Sequence, residues 1–255
     1  MQISRSAERE QACIAGARDG IVQLDVSPHD KFPGVFWVTT STGTGKLATR
    51  NLTPGRSVYG ERLVNFQGIE YRLWDPYRSK LAASILKHLR KNPIEPTQNI
   101  LYLGSASGTT VSHVSDIVGE DGKVYCVEFS SRSMREFVDN LCDHRENLYP
   151  ILADARFPER YPKLVGAVDL VYCDIAQVEQ AKILADNADK YLKPDGWIMI
   201  AVKSRSVDVT RSPSDVFKGE AQVLLDRGFK VVESVRLEPY EKDHAMLVAH
   251  RRSED

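Results

Sequence analysis

The sequence predicts an α/β fold in which a small antiparallel β domain precedes a mostly parallel, doubly wound sheet. From Ile21 to Trp74 the apolar residues fall into short runs broken by Pro and Gly, a pattern typical of antiparallel strands joined by turns. From Asn99 onward apolar strands alternate with helical segments, which indicates βαβ units with helices on both faces of the sheet. We therefore expect a β domain over residues 21–78 and a sheet domain over residues 79–255.

The first 20 residues form a polar segment of unclear structure, in which a short helix is predicted over SAEREQACIAGA. The β-rich runs that follow are IVQLDV, GVFWVTT, KLATRNL, SVYG, RLVNF and EYRLW. Between them, TGTGKLA is similar to a phosphate-binding loop, but that motif needs a Gly six residues before its Lys and a Ser or Thr after it. Thr40 and Leu47 stand at these positions, so a hairpin turn is the better interpretation.

A junction helix is predicted over LAASILKHLR, because Leu81, Ile85 and Leu89 recur at helical spacing and two prolines follow. The predicted strands of the second domain are NILYLG, KVYCVEF, LYPILA, VDLVYCD and GWIMIAVK, and the helices between and after them cover residues 109–118, 131–144, 180–192 and 213–227. The last two strands, KVVESVRLEP and HAMLVAHRR, have no helix between them, which predicts an antiparallel pair at the end of the sheet.

Composition and charge narrow the function classes. Hydrophobic residues make up 42% and charged residues 27% of the 255 residues, as in ordinary folded proteins. No apolar run approaches the roughly 20 residues that span a bilayer, and MQISRSAERE lacks an apolar signal core, so we expect a cytoplasmic protein without a membrane partner. The four cysteines are widely spaced with no C-x-x-C pair, which argues against a metal site or disulfides. The formal net charge of -1 offers no overall positive field, so an RNA substrate would need another component to deliver it.

A glycine-rich turn, LGSASGTT, lies between the first strand of the second domain and the helix behind it. Backbone N–H groups at such a helix entrance suit an anionic or nucleotide-like ligand. In the dinucleotide motif G-x-G-x-x-G, counted from Gly104, the later glycine positions are held here by Ala106 and Thr109. The chain also lacks a second nucleotide-binding half, which weakens the case for NAD.

Polar side chains end the next three strands. Glu128 stands where a carboxylate accepts hydrogen bonds from ribose hydroxyls, which suits NAD and S-adenosylmethionine alike. Asp154 can accept a hydrogen bond from an adenine amino group, and Asp174 and Gln177 can reach the amino-acid end of a ligand. This set fits a compact cationic nucleoside, as in S-adenosylmethionine. The candidate cofactor-binding residues are Gly104, Ser107, Gly108, Thr109, Thr110, Glu128, Phe129, Asp154, Ala155, Asp174, Ile175, Ala176 and Gln177.

Several motifs resemble those of the fibrillarin family: YRLWDPYRSKLAA, GSASGTTVSHVSD, VYCVEFSSRS, ILADAR, DIAQVEQ and DHAMLVA. The resemblance runs over about residues 45–251. It implies a Rossmann-like class I methyltransferase domain with a mostly parallel seven-stranded sheet, which transfers a methyl group from S-adenosylmethionine to ribose 2′-hydroxyls of ribosomal RNA and also transfer RNA. No Gly-Arg-rich tail is present, so the chain is similar to the archaeal branch, or to a eukaryotic member without its tail, which would be nucleolar.

The resemblance also implies partners. In this family a box C/D guide RNA selects the target RNA, a Nop-type scaffold protein holds the enzyme, and a kink-turn-binding ribosomal-type protein completes the particle. Three other functions stay open at this point: a structural assembly subunit, a protein (glutamine) methyltransferase and a nicotinamide oxidoreductase.

The family's catalytic tetrad matches Lys80, Asp174, Lys203 and His244 in this sequence. We expect Lys203 to contact the 2′-hydroxyl, because the second cation at Lys80 disfavours its charged form and a neutral amine can act as a base. Asp174 would orient the lysines, and His244 would hold Lys203 or accept the proton. The candidate RNA-binding residues are Arg78, Arg205 and Arg211, with Arg72 and Lys218 expected beside them at the mouth of the pocket.

Overall fold

A computed structural model describes residues 24–41, 43, 45–161 and 163–251. They form a five-stranded antiparallel sheet and a seven-stranded, mostly parallel sheet, which confirms the predicted fold class. The helix predicted over SAEREQACIAGA lies outside the described residues. The domain limits at residues 20 and 78 stay predictions, although each sheet falls within its predicted domain.

The first sheet has the strand order β1-β2-β3-β5-β4. Its strands are β1 (Leu24–Pro28), β2 (Val35–Thr40), β3 (Lys46–Arg50), β4 (Leu63–Phe66) and β5 (Ile69–Leu73). Strands β2 and β3 pair antiparallel, with Val38 opposite Lys46, which confirms the hairpin interpretation of TGTGKLA. The SVYG run is not a strand, because the N–H groups of Val58 and Tyr59 donate to the nearby carboxylate of Glu61 instead of to a neighbouring strand.

The junction helix α1 (Lys80–Leu86) begins at Ser79, whose hydroxyl accepts a hydrogen bond from the N–H of Ala82. It ends before the predicted limit at residue 90 because His88 adopts a left-handed conformation with φ of 65°. Leu89 is nevertheless buried, so it follows the apolar period of the helix without belonging to it. Apolar spacing alone could not distinguish these two arrangements.

The second sheet has the strand order β11-β12-β10-β9-β6-β7-β8. In chain order its elements are β6 (Asn99–Leu103), α2 (Thr109–Val118), β7 (Lys123–Glu128), α3 (Ser131–Asn140), β8 (Leu148–Leu152), β9 (Val168–Cys173), α4 (Gln180–Tyr191), β10 (Leu192–Lys203), α5 (Ser204–Val207), α6 (Pro213–Asp226), β11 (Phe229–Arg236) and β12 (His244–Arg251). Helix α3 is shorter than predicted, since a separate 3-10 turn covers Cys142–His144. The short helix α5 was missed.

Strand β12 is inserted between β10 and β11 and runs antiparallel to both, so the predicted antiparallel pair is confirmed. The parallel strands β7 and β9 flank β6 on opposite sides. The chain therefore reverses its winding direction beside β6, and a crevice opens at that point over the carboxyl ends of the strands. In the described part of the chain, no helix is long and apolar enough to cross a membrane.

A buried ion-pair network joins the first sheet to helix α2. Arg72 of β5 contacts Glu61 at 2.6 Å and Asp116 of α2 at 3.0 Å, and Arg145 contacts the other oxygen of Asp116 at 2.6 Å. Nearby, the ring of Trp74 stacks on the buried His113 with centroids 4.7 Å apart. These contacts hold the segment that precedes α1 against helix α2. Lys80, the first residue of α1, follows this segment directly.

Candidate active site

A cavity of about 380 Å³ lies over the carboxyl ends of β6, β7, β8, β9 and β10. Ligands of doubly wound sheets bind at this edge. The residues that line it are Gly104, Ala106, Val127, Glu128, Phe129, Ser130, Ser133, Ala153, Asp154, Ala155, Arg156, Asp174, Ile175, Ala176, Gln177 and Lys203. Most of the predicted cofactor-binding residues therefore meet at one cavity.

The turn after β6 lies against the end of β9. Gly104 has φ of 84°, a left-handed conformation that favours glycine. A Cβ atom at this position would lie 2.8 Å from the main-chain oxygen of Asp174 and 2.9 Å from Cγ2 of Ile175. Only glycine lets the two segments approach this closely, so residue 104 determines the width of the cavity floor.

Glu128 connects the glycine-rich turn to the loop after β7. Its carboxylate accepts hydrogen bonds from the N–H of Ala106 at 3.0 Å and from the N–H of Ser130 at 2.8 Å, and the residue is only 7% exposed. A carboxylate offers about four lone-pair positions, so two remain for the adjacent hydroxyls of a ribose. Phe129, next to it, is 69% exposed at the cavity and offers a free ring face.

Asp154 lies at the cavity but is engaged by a residue that the sequence analysis missed. Arg156 donates from Nε to both oxygens of Asp154 at 3.1 and 3.0 Å and from NH2 to Oδ2. These hydrogen bonds hold the pKa of Asp154 below its usual value. An adenine amino group would therefore share this carboxylate with Arg156 or displace the guanidinium.

Three members of the predicted tetrad form an ion-pair cluster. Asp174 follows β9, Lys203 ends the adjacent strand β10, and Lys80 begins α1. The Nζ of Lys203 lies 2.9 Å from Asp174 Oδ1, and the Nζ of Lys80 lies 3.3 Å from the same oxygen. All three side chains are partly buried, and the Nζ atoms of both lysines converge on one carboxylate beside the cavity.

His244, the fourth member, lies directly opposite Lys203 in the pairing of β10 with β12. Its Nδ1 is 2.6 Å from the carbonyl oxygen of Lys242. A carbonyl can only accept a hydrogen bond, so Nδ1 carries the hydrogen and the neutral ring has its lone pair on Nε2. Within the described residues, the imidazole makes no hydrogen bond with Lys203.

Four predicted cofactor residues do not line the cavity: Ser107, Gly108, Thr109 and Thr110. They form the turn and the beginning of α2, where Gly108 is the N-cap residue with φ of 95° and Thr110 donates to the hydroxyl of Ser79 at 3.1 Å. Their assignment to the cofactor stays a prediction. The missed lining residues Ala106, Val127, Ser130, Ser133, Ala153 and Arg156 all lie within a few residues of predicted ones, and sequence proximity was the available signal.

The three predicted RNA-binding arginines are exposed, whereas Arg72, which was expected beside them, is buried. Arg205 contacts Asp243 at 3.1 Å, Arg211 donates to the carbonyl of Asp215, and Arg78 lies 5.2 Å from the centre of the Tyr59 ring. Lys218 is also exposed. The expectation that Arg72 lines the mouth of the pocket was wrong. Its guanidinium is fully buried, because it neutralises two buried carboxylates.

Comparisons with known proteins show the family to which this chain belongs. A family model described as Fibrillarin matches residues 26–253. The fibrillarin-like rRNA/tRNA 2′-O-methyltransferase of Pyrobaculum calidifontis is 56% identical over 229 residues, which cover 89% of this chain and 98% of that protein.

Solved structures give the same result. The crystal structure of Aeropyrum pernix fibrillarin, in complex with natively bound S-adenosyl-L-methionine, superposes with a TM-score of 0.83 at 48% identity and covers 90% of this chain and 100% of that one. A structure of a fibrillarin/Nop5p complex has a TM-score of 0.72 at 43% identity and covers 81% of this chain and 94% of that one. With a matching family model over most of its length and a close relative of nearly equal extent, this chain belongs to the fibrillarin family.

Proposed function

We propose that this protein transfers a methyl group from S-adenosylmethionine to ribose 2′-hydroxyls of ribosomal and transfer RNA. The observation that carries the proposal is the cluster of Lys80, Asp174 and Lys203 at the edge of a cavity lined by nucleoside-binding groups. The relative from Pyrobaculum calidifontis, at 56% identity, is named for the same reaction, which supports the assignment.

The cavity residues suit S-adenosylmethionine. Glu128 has lone pairs free for the ribose hydroxyls, and Asp154 and the N–H of Ala155 would face the adenine. Asp174 and Gln177 would bind the amino-acid end. The bound cofactor supplies an electrophilic methyl group on a sulfonium. Aeropyrum pernix fibrillarin, which binds this cofactor natively, is 48% identical to this chain.

The chain's own residues would activate the hydroxyl. The Nζ of Lys203 would contact the 2′-hydroxyl and hold it in line with the methyl carbon, so that the new C–O bond forms as the C–S bond breaks. Asp174 and Lys80 would orient Lys203. The proton would leave to the lone pair of Lys203 Nζ when that amine is in its neutral form, or to the lone pair on Nε2 of His244, opposite Lys203 on the neighbouring strand.

RNA delivery would rest on partners. We propose that a Nop-type scaffold protein holds this chain, which the fibrillarin/Nop5p complex at 43% identity supports. A chain with a net charge of -1 has little general attraction for RNA. We therefore propose that a box C/D guide RNA and a kink-turn-binding protein bring the target RNA to it. We place this particle in the cytoplasm.

Labelled-methyl transfer from S-adenosylmethionine to a guide-paired RNA tests the proposal, with scaffold and kink-turn proteins present. We expect incorporation that requires the guide and stops when the guide is replaced by one of unrelated sequence. Incorporation into the scaffold protein instead of the RNA would indicate a protein methyltransferase. No incorporation in an assembled particle with measured cofactor binding would indicate a structural subunit.

A further inference from the structure

A second, larger cavity of about 800 Å³ lies between the first sheet, the turn before α1 and the loop between β11 and β12. We call it the junction groove and define it by Lys46, Tyr59, Arg62, Tyr77, Arg78 and Tyr240, which all line it. None of these residues except Arg78 was a candidate site residue. The described cavity at the carboxyl ends of the strands is a separate pocket, with a different set of lining residues.

One exposed and two partly buried aromatic rings line the junction groove together with a guanidinium plane. Tyr77 is 63% exposed and meets Tyr240 edge to face, with ring centres 5.1 Å apart and planes at 69°. The guanidinium of Arg78 lies over the ring of Tyr59 at 5.2 Å. Bases of unpaired RNA stack on planes of these kinds.

The ring of Tyr59 is held in place from below. The hydroxyl of Thr49 donates to Asp116, so it accepts a hydrogen bond from Nδ1 of the buried His113. The other ring nitrogen, Nε2, therefore carries the lone pair and accepts a hydrogen bond from the Tyr59 hydroxyl at 2.8 Å. Burial raises the pKa of the Tyr59 hydroxyl, which keeps it protonated as this donor. The plane formed by Tyr59 and Arg78 is therefore preorganised.

The junction groove also has an excess of positive charge. Lys46, Arg62 and Arg78 are exposed, and none has an acidic partner among the ion pairs of the described residues. Of the acids in the groove, Glu61 is neutralised by the buried Arg72. Asp75 accepts a hydrogen bond from the N–H of Tyr77, and its carboxylate is the remaining opposing charge. Three cations against one free acid favour an anionic chain in this place despite the overall charge of the protein.

Both walls of the junction groove continue along the chain into the catalytic cluster, by which we mean the predicted tetrad of Lys80, Asp174, Lys203 and His244. Arg78 precedes Lys80 by two residues, and Tyr240 lies in the loop that leads to His244. The contact between Tyr77 and Tyr240 joins these two walls. The groove is thus continuous along the chain with Lys80 on one wall and with His244 on the other.

We propose that the junction groove binds single-stranded RNA next to the paired target, with bases on Tyr77, Tyr240 and the Arg78 plane and phosphates on Lys46 and Arg62. The idea rests on the proposed function for the choice of RNA. A protein segment is the other class of occupant for a groove rich in Tyr and Arg. Continuity with the catalytic cluster and the unpaired cations favour RNA.

Fluorescence anisotropy of a fluorescein-labelled oligouridine with the full-length protein at low salt tests the proposal. Two double variants remove the stacking and phosphate contacts separately: Tyr77→Leu with Tyr240→Leu, and Lys46→Gln with Arg62→Gln. The matched controls are Tyr149→Leu on the edge strand β8 and Lys230→Gln on β11, which are exposed residues outside the groove. Thermal unfolding and S-adenosylmethionine binding verify that each variant is folded.

We expect the double variant that lacks Tyr77 and Tyr240 to have a dissociation constant for oligouridine about tenfold higher, because base stacking is lost. In the double variant that lacks Lys46 and Arg62, the binding constant should also depend less on salt: the slope of its logarithm against the logarithm of the salt concentration should decrease in magnitude by about 0.7 for each lost phosphate contact. The controls should bind like the unaltered protein. Equal binding by all variants, or no binding by the unaltered protein, overturns the proposal.

Crosslinking in the assembled particle distinguishes the two occupants. With 4-thiouridine next to the paired target, we expect crosslinks to the peptides that contain Tyr77 and Tyr240. Protection of these peptides by the scaffold protein alone, without RNA crosslinks, assigns the groove to a protein and overturns the proposal. Oligouridine binding and methyl transfer are separate readouts, so a failure of the groove and a failure of the proposed function give different results.

Discussion

Lys203 and Asp174 meet at two points: the Nζ of Lys203 lies 2.9 Å from Oδ1 of Asp174 and 2.9 Å from its main-chain oxygen. The two residues come from the ends of adjacent parallel strands, so the register of the sheet determines their separation. Lys80 approaches the same carboxylate from α1. Asp174 thus fixes the position of the Lys203 amine, which we propose to contact the 2′-hydroxyl.

Removing this amine should separate catalysis from cofactor binding. We expect Lys203→Ala to lower kcat by about 10²- to 10⁴-fold, the usual contribution of a positioned acid–base group, while the affinity for S-adenosylmethionine is retained. Single-turnover methyl transfer and titration calorimetry measure the two quantities. Lys230→Ala, at an exposed position on β11, is the control. An unchanged kcat for Lys203→Ala would remove Lys203 from the mechanism.

Gly104→Ala should damage the site more than the same change at Gly119. Both glycines have positive φ, 84° and 73°, and alanine held in such a backbone conformation costs about 1–3 kcal/mol. A Cβ at Gly104 would also press on the main-chain oxygen of Asp174, whereas a Cβ at Gly119 meets nothing within 4 Å. We expect only Gly104→Ala to lose cofactor affinity and methyl transfer. Equal losses in both variants would mean that backbone strain alone is responsible.

Arg72 should be important for stability because it joins two buried carboxylates, that of Glu61 before β4 and that of Asp116 in α2. Arg72→Met leaves Glu61 and Asp116 without this partner, and breaking a buried pair costs about 3–5 kcal/mol. The control is Arg132→Met, since that side chain is 90% exposed and its ion pair with Glu136 should contribute less than about 1 kcal/mol. Urea unfolding measures both. A loss at Arg72 no larger than that at Arg132 would contradict the account.

His113 should make the stability depend on pH. Burial, reinforced by the charges of Arg72 and Arg145, lowers the pKa of His113 well below its usual value of 6.5. In the unfolded chain this imidazole takes up a proton below about pH 6.5, whereas in the folded chain it stays neutral. The free energy of unfolding should therefore be highest above this pH and fall as the pH decreases, by up to about 1.4 kcal/mol per pH unit.

The variant His113→Gln isolates this contribution. Urea unfolding of both proteins between about pH 5 and pH 8 gives the difference in slope, and other titrating groups cancel in the comparison. We expect the unaltered protein to have the steeper dependence below about pH 6.5. Identical slopes would show that His113 is protonated in the folded state or exposed to water.

The sequence predicted the alternation of strands and helices and the residues at the strand ends, because both follow from local apolar periodicity. Glu128 and Asp174 lie at the cavity for this reason: parallel strands bring their carboxyl ends to one edge. The tetrad came from family motifs instead, since Lys80 and His244 reach the site from segments whose placement no local pattern indicates.

The errors concern side-chain pairings that no local sequence pattern indicates. Arg72 was assigned to the surface because nothing in the sequence shows that Glu61 and Asp116 surround it. Arg156 was missed for a different reason: its pairing with Asp154 depends on side-chain conformation. Such contacts are properties of the folded chain, and an arginine in isolation usually lies at the surface.

The most direct test of the central claim identifies the methylated atom. A guide-paired RNA and the same RNA with a 2′-deoxyribose at the target nucleotide are incubated with the assembled particle and S-adenosylmethionine, and the digested nucleosides are analysed by mass spectrometry. We expect a 2′-O-methylnucleoside at the target position and no incorporation in the deoxy substrate. Methylation of a base, or equal incorporation into both RNAs, would contradict it.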